Sequence, residues 1–402
     1  MYLTCKRWVL SFVTSWCLLT SATRADRPEE YAHLEAEFEA AVEKLYASPK
    51  TAERTTAERI RDYEAAPLWQ FVPRFLALAE ANPGDETAYR CCKWILHYNL
   101  PDQEMVEPHR RVWKILADHH AQGEKLPELC FLAVQNFGPT QEDFLRGQLK
   151  REDLAPGETA YATLALAELL ARRVEYLEYR IVASKLPIDD FVTYLESRYS
   201  PDWTETMNVA NRPKFKEESM RVLRVVLDKY ADVPNSLSMP YFRDIGKLGD
   251  KASKSLHALE HLSLGAEAPD IVGTDLDGNQ LKLRDYRGRV VLLSFWFAGC
   301  GPCMQMVPKE RELVEKFKDR PFSLLAICTD GELEVGRAAV EQHDMTWPCW
   351  FDGDNGPIAR DYNILSWPTF YLLDKNGRII SNDLPRDNMD VAIEKLLNGT
   401  WQ

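Results

Sequence analysis

The 402-residue sequence lacks any run rich in Lys or Arg, and its 62 Asp and Glu residues outnumber 49 Lys and Arg. The formal net charge of −13 argues against a nucleic acid or an anionic membrane surface as a partner. The apolar run near the start, Trp8 to Leu19, is about a dozen residues long, which is short for a transmembrane helix. No second Cys pair or Cys/His pair stands at zinc-ligand spacing from the one Cys-X-X-Cys motif. We therefore expect an acidic body without a metal site.

Residues 1–25 have the layout of a secretory signal peptide. Lys6 and Arg7 precede the apolar run, and small residues ending at Ala25 follow it. We expect a mature chain that begins near Asp26 and is exported, in the periplasm; an uncleaved N-terminal membrane anchor is the alternative. In an exported chain the cysteines can form disulfides or exchange with them, because disulfides persist outside the cytosol.

Residues 26–262 predict an all-α domain. Leu, Ala and Tyr recur at intervals of three and four residues, and almost nothing alternates as a strand does. Two similar turns, Pro83–Tyr89 and Pro156–Tyr161, each lead into an apolar helix and are separated by about two units of a helical-hairpin repeat. Coincidence is the alternative to a repeat. We expect this domain to be a scaffold or a surface that binds a protein partner.

Residues 263–402 predict an α/β domain. Apolar runs of strand length alternate with helical patterns, and Asp277-Gly278 and Asn376-Gly377 are typical of hairpin turns. This order predicts a mixed sheet with helices on both faces. The predicted strands are 271–274, 281–283, 290–297, 322–328, 369–373 and 378–380, and the predicted helices are 300–318, 334–343 and 389–397.

The stretch from Val290 to Pro308 contains the residues whose spacing implies chemistry. An apolar strand runs into Cys300-Gly301-Pro302-Cys303 and then into a helix. A helix N-terminus favours a thiolate over a thiol, so Cys300 is the expected nucleophile. Cys303 lies one helical turn on, within reach of a mixed disulfide at Cys300. The spacing therefore predicts a redox couple, with a plain structural disulfide or half of a zinc site as the alternative.

The other cysteines of the expected mature chain are spread over both domains. Cys91, Cys92 and Cys130 are expected to be small apolar core residues, with a structural disulfide as the alternative. Cys328 and Cys349 stand at the end of one predicted strand and the start of another. Buried free thiols, a second disulfide and a relay pair are the interpretations that this placement leaves open for them.

Several separated motifs of the last third occur in the order found in thioredoxin-fold redoxins. The sequence most resembles the exported thiol-disulfide oxidoreductases of the TlpA and ResA type. The motifs are Gly265–Asp270, the Asp-Gly hairpin, Tyr286–Leu293, Phe295-Trp296, Cys300–Cys303, Trp347–Asp352, Trp367–Thr369 and Leu373–Gly377.

The resemblance implies roles for individual residues. Cys300 is the attacking thiol, Cys303 is the resolving thiol, and the peptide bond before Pro368 is cis, with the Trp367 backbone available to an extended substrate. Trp296 is expected to pack beneath the site. Gly301, Pro302 and Thr369 are expected to support it, and no metal or organic cofactor is implied.

Three positions depart from the relatives. Ser294 stands where thioredoxin has a buried Asp, and Met306 stands where the TlpA and ResA pattern commonly has a Glu. A buried carboxylate takes the proton from the resolving thiol, so its absence from both positions argues against a fast dithiol reductase. Glu310 is a more distant acid. Gly299 replaces the usual Trp before the motif, which predicts a less shielded Cys300.

These observations predict an exported thiol-disulfide oxidoreductase that reduces protein disulfides. Its partners would be a disulfide-containing protein and an external thiol reductant. A partner-binding scaffold with a structural or sensing disulfide is the first alternative. A thiol peroxidase is the second; Phe297-Ala298-Gly299 offers neither the Pro nor the Thr that peroxiredoxins place before their reactive Cys.

Overall fold

The computed structural model of the chain describes residues 29–46, 55–98, 102–187, 190–235, 246–354, 356–382, 384 and 386–401. The signal peptide predicted over residues 1–25 lies outside these ranges. The chain divides into two compact units, residues 1–174 with 188–252 and residues 175–187 with 253–402. The domain boundary predicted at residue 262 falls inside the second unit.

Helices are the regular elements of the first unit in its described residues, as the sequence predicts. No helix in the described ranges is long and apolar enough to cross a membrane. The helical-hairpin repeat stays a prediction. The helices are α1 (Glu29–Tyr46), α2 (Thr56–Glu64), α3 (Leu68–Ala81), α4 (Glu86–His97), α5 (Gln103–His119), α6 (Lys125–Asn136), α7 (Pro139–Gln148), α8 (Pro156–Ala183), α9 (Asp190–Ser197), α10 (Pro201–Thr206), α11 (Arg212–Lys229) and α12 (Leu248–His261); α8 and α12 each contribute residues to both units.

Polar residues just before the helices fix where several of them begin. The Asp85 carboxylate accepts the N–H of Ala88 at 2.8 Å at the start of α4. Thr55 and Glu58 exchange side-chain and backbone hydrogen bonds before α2. Such caps satisfy N–H groups that have no partner within the helix, and each typically contributes about 1 kcal/mol.

A buried arginine links three segments of the first unit. Arg173 on α8 is fully buried and forms an ion pair with Glu142 of α7. Its guanidinium also donates to the carbonyl oxygens of Phe137 at 2.9 Å and Gly138 at 2.8 Å, and it lies over the Phe215 ring. Burial alone would raise the pKa of Glu142, but Arg173 holds that pKa below its ordinary value. The guanidinium is therefore satisfied by partners that only the folded chain supplies.

The three cysteines of this unit are free, buried thiols. Burial raises the pKa of Cys91 to about 12 and raises those of Cys92 and Cys130 further. The expectation that they are small apolar core residues agrees with this burial, and the alternative of a structural disulfide among them does not.

The second unit contains an antiparallel hairpin and a five-stranded sheet in the order β5-β4-β3-β6-β7. The strands are β1 (Val272–Thr274), β2 (Gln280–Lys282), β3 (Val290–Trp296), β4 (Phe322–Cys328), β5 (Cys349–Phe351), β6 (Thr369–Leu373) and β7 (Ile379–Ser381). The helices that begin in this unit are α13 (Gly301–Met304), α14 (Val307–Lys316), α15 (Leu333–Gln342), α16 (Pro357–Asp361) and α17 (Met389–Leu397).

β3 is the central strand of the larger sheet. It pairs in parallel with β4 and antiparallel with β6, and all seven of its residues are buried. Leu292 and Trp296 pack into one apolar cluster, whereas Leu293 and Phe295 pack into another on the opposite face. Both faces are therefore covered, which explains the nearly continuous apolar sequence of the strand. The arrangement is the thioredoxin-like fold that the resemblance implies.

Both predicted hairpins are present, and an aspartate shapes each turn. Asp275 accepts the N–H groups of Asp277 and Asn279 between β1 and β2. Asp374 does the same for Asn376 and Arg378 between β6 and β7. A glycine with positive φ follows in each turn, Gly278 at 88° and Gly377 at 74°, a conformation that other residues rarely adopt.

The single helix predicted over residues 300–318 is wrong, because the structure has two helices, α13 and α14. Pro308 lacks the N–H that a continuous helix would donate to Met304. The N–H of Met306 instead bonds three residues back, to the Cys303 carbonyl at 2.9 Å. The break sets the direction in which α14 leaves the Cys motif.

We expect Arg173→Met to lower the free energy of unfolding of the full-length protein by about 3–5 kcal/mol, because it removes the buried ion pair with Glu142 and the guanidinium hydrogen bonds to the Phe137 and Gly138 carbonyl groups. Urea unfolding followed by circular dichroism measures this loss. Arg110→Met is the matched control: Arg110 is 57% exposed and pairs with Glu107 on its own helix, so its loss should cost less than about 1 kcal/mol. Equal effects of the two substitutions would contradict a central role for Arg173.

Candidate active site

The Cys motif lies where the central strand ends and a helix begins. Cys300 is the residue before α13, and it forms a disulfide with Cys303, with the Cα atoms 5.2 Å apart. The Cys303 N–H points at the Cys300 sulfur at 3.1 Å. A helix N-terminus and an amide donor both stabilise negative charge on sulfur. The geometry therefore favours Cys300 as the thiolate of the reduced pair.

The prediction of a less shielded Cys300 is wrong, because Cys300 is only 5% exposed. The Phe297 ring lies over Gly299, where a Cβ atom would come within 3.3 Å of it. Phe297 also contacts the Trp367 ring edge-on, with the centroids 5.6 Å apart. The Phe297 ring thus packs beside the residue that precedes Cys300, while Gly301 and Pro302 stay exposed.

The remaining residues implied by the resemblance lie near the same end of the sheet. The Trp367–Pro368 peptide bond is cis, as the resemblance implies. Thr369 begins β6 directly opposite Phe295 of β3, so the loop before it lies beside the strand end that leads to Cys300. Trp296 is buried in the apolar cluster that contains both motif cysteines.

A buried carboxyl group lies against β3, although the two positions at which the relatives carry an acid have none in this chain. Glu310 on α14 is 5% exposed, and the Ser294 hydroxyl on β3 donates to its Oε1 at 2.6 Å. Burial raises the pKa of Glu310 to about 7, and the hydrogen bond from Ser294 opposes this only in part. A carboxyl group with this pKa changes protonation state near neutral pH, as a general base should.

The site therefore contains a buried acid, although positions 294 and 306 carry none. Ser294 replaces an acid on the strand, but its hydroxyl contacts an acid supplied by the helix. The signal that identifies Glu310 is its helical spacing: it lies four residues after Met306, one turn further along the same face. That spacing alone does not distinguish it from an exposed acid, because the break between α13 and α14 sets which face is buried.

Cys328 and Cys349 are free, buried thiols, so the structure does not contain the second disulfide. Cys349 lies opposite Ala326, and Cys328 lies opposite Phe351, so the two are not direct cross-strand partners. The Cys328 thiol instead donates to Asp330 at 3.2 Å. Burial raises the pKa of Cys328 to about 12 and that of Cys349 well above its ordinary value. Thiols in this state are poor nucleophiles.

The described residues contain no group of three or more His, Cys, Asp or Glu side chains arranged to hold a metal ion. The groups that the structure brings together at the site include two cysteines, the buried carboxyl group of Glu310 and the backbone around them. This set suits transfer of electrons and protons between thiols and disulfides.

Comparisons with known proteins place similarity in the last third of the chain. The AhpC/TSA family model matches residues 264–381. The thiol-disulfide oxidoreductase ResA of Bacillus thuringiensis subsp. konkukian is 35% identical over 121 residues, which are 30% of this chain and 69% of that protein. The thioredoxin-like protein YneN of Bacillus subtilis is 35% identical over 117 residues, 29% of this chain and 68% of that protein. The thioredoxin domain of a thiol-disulfide oxidoreductase from Bacteroides vulgatus is 32% identical, with a TM-score of 0.32, over 34% of this chain and 99% of that one.

Proposed function

Because this chain belongs to the family of the thiol-disulfide oxidoreductase ResA, we propose that it is an exported enzyme that reduces disulfides in proteins. The observation that supports this most directly is the placement of Cys300 before α13, with the Cys303 amide directed at its sulfur. The signal-like sequence of residues 1–25 supports export, and thiol-disulfide exchange suits an oxidising compartment.

The reaction begins from the dithiol. The Cys300 thiolate attacks one sulfur of a substrate disulfide; a new S–S bond forms at Cys300 as the substrate bond breaks, and the other substrate sulfur leaves as a thiolate that takes up a proton. Cys303 then loses its proton and attacks the Cys300 sulfur. This second exchange forms the Cys300–Cys303 disulfide and releases the substrate as a dithiol. Two electrons pass to the substrate, and an external thiol reductant restores the enzyme.

Glu310 accepts the proton that Cys303 loses. It lies on the face of α14 that packs against β3, and Cys303 belongs to the apolar cluster of the same layer. A general base acts on a thiol either directly or through one water molecule. Burial disfavours a charged Glu310 and so strengthens its pull on the proton near neutral pH.

The helical domain, residues 26–262, is proposed to bind a protein partner, either the substrate or the reductant. In the described residues of this domain, buried polar groups such as Arg173 and Glu142 form structural pairs. A docking role predicts that its removal changes which disulfide proteins react, while the chemistry at Cys300 is unchanged.

We expect the full-length protein to reduce insulin disulfides in the presence of dithiothreitol, and Cys300→Ser to abolish the activity because the nucleophile is lost. Cys303→Ser should instead accumulate a mixed disulfide with insulin, visible by mass spectrometry. Wild-type activity no higher than that of Cys300→Ser would favour the scaffold alternative. Rapid consumption of hydrogen peroxide without insulin reduction would favour the thiol peroxidase alternative.

Glu310→Gln should slow insulin reduction in a pH-dependent manner. A protonated Glu310 cannot accept a proton, so below its pKa of about 7 the wild type and the variant should have similar rates. Above that pH the wild-type carboxylate is available and Gln is not. The ratio of the two rates should therefore rise from near one at about pH 5.5 to about tenfold or more at about pH 8.

Glu312→Gln is the matched control for this measurement, because Glu312 is 72% exposed on the same helix. Its rate should equal that of the wild type across the pH range. A ratio for Glu310→Gln that stays near one, or that does not change with pH, would remove Glu310 from the mechanism while leaving the two cysteines in place.

A further inference from the structure

One peptide group connects Asp330 to the backbone of Cys300. The N–H of Ala298 donates to Asp330 Oδ2 at 2.9 Å. The carbonyl on the other side of the same peptide group, that of Phe297, accepts the N–H of Cys300 at 3.1 Å. The orientation of this peptide plane thus determines where the Cys300 amide points, and Asp330 holds the plane.

Asp330 belongs to a short segment that holds the end of β3. The preceding residue, Thr329, donates to the Trp296 carbonyl from its N–H at 2.9 Å and from its hydroxyl at 3.2 Å. The Cys328 thiol donates to the same Asp330 oxygen that Ala298 uses. Asp330 is 9% exposed, and hydrogen bonds to a carboxylate shielded from water are stronger than those between neutral groups.

Titratable and charged groups lie close to Asp330. Cys328 on β4 donates to its carboxylate, the motif cysteines follow the Phe297–Ala298 peptide group, and Asp354 in the loop after β5 lies beside Gly331. Helix α15 presents Gly336 to the carboxylate. The next residue on α15 is Arg337, whose guanidinium donates to the Leu276 carbonyl at 2.6 Å and to Glu334 at 2.9 Å. Hydrogen bonds to the Asp330 carboxylate come from the Ala298 N–H and the Cys328 thiol.

We propose that Asp330 is a positioning residue that sets the reactivity of Cys300. Its carboxylate fixes the Phe297–Ala298 peptide group and hence the Cys300 amide, and its negative charge opposes a second negative charge on the Cys300 sulfur. The two effects change the reactivity of Cys300 in opposite directions. The hydrogen bond keeps the loop in its reactive geometry, whereas the charge lowers the fraction of Cys300 that is thiolate and so stabilises the disulfide relative to the reduced pair.

Asp330→Asn separates the two effects, because the amide oxygen still accepts the Ala298 N–H while the charge is lost. In a full-length Cys303→Ser protein, in which Cys300 is the only thiol of the motif, we expect Asp330→Asn to increase the rate of Cys300 alkylation by iodoacetamide at about pH 6 by about threefold or more. Peptide mass spectrometry assigns the alkylation to Cys300. An unchanged or lower rate would overturn the electrostatic part of the proposal.

The positioning effect is measured with Cys303 intact. Asp330→Ala removes the acceptor as well as the charge and should lower insulin reduction about tenfold, whereas Asp330→Asn should stay within about threefold of the wild type. Equal losses in both variants would overturn the positioning part. If Asp330→Asn does not fold, Asp330→Ser removes the charge with a smaller polar side chain and gives the same alkylation test.

Asp352→Asn is the matched control. Asp352 follows β5 and accepts the N–H groups of Ile358 and Ala359 at the start of α16, not those of the motif loop. Its substitution should leave Cys300 alkylation unchanged, and an increase equal to that of Asp330→Asn would overturn the specific role of Asp330.

This inference rests on the proposed role of Cys300 as the nucleophile, and the same alkylation experiment tests that role separately. A Cys303→Ser protein in which Cys300 reacts no faster than the buried cysteines would count against the proposed function. A reactive Cys300 that is insensitive to Asp330→Asn would count against Asp330 alone.

Discussion

The hydrogen bond from Ser294 to Glu310 joins the central strand to the helix that follows the Cys motif, and the proposed chemistry depends on it. Ser294 is 2% exposed and Glu310 is 5% exposed, so neither group has ready access to water. A serine on the strand is short enough to leave room for a carboxyl group that reaches in from α14. Ser294 and Glu310 together place a titratable carboxyl group beside the strand position at which thioredoxin has a buried Asp. Burial raises the pKa of Glu310 to about 7.

The strand that carries Ser294 is held rigidly on both sides. β3 is in register with β4 from Val290 to Trp296 and with β6 up to Phe295 opposite Thr369. Residues 328–330 then hold the first peptide groups beyond the strand. The sheet thereby fixes the end of β3, the loop holds Cys300 at the start of α13, and α14 returns Glu310 to the same layer. Reactive groups that must meet within a few ångströms are thus placed by regular elements.

Local patterns in the sequence predict most of this domain. The buried strands follow from continuous apolar runs, the hairpins from Asp-Gly and Asn-Gly, and Cys300 and Cys303 from their spacing. Contacts between distant residues are harder to predict. The approach of Glu310 to Ser294 depends on the break at Pro308, and the edge-on contact of Phe297 with Trp367 joins segments that are far apart in the sequence. The register of β4 with β5, which places Cys349 opposite Ala326 and Cys328 opposite Phe351, is likewise not specified by composition.

If Glu310 is the general base of the reaction, its carboxyl group should titrate near neutral pH. Carbon-13 NMR of the protein labelled at the glutamate side-chain carboxyl carbon measures this directly, with the Glu310 signal assigned by its absence from Glu310→Gln. The account predicts a titration midpoint of about 7 for this signal. A midpoint near the ordinary glutamate value of about 4.3 would contradict it.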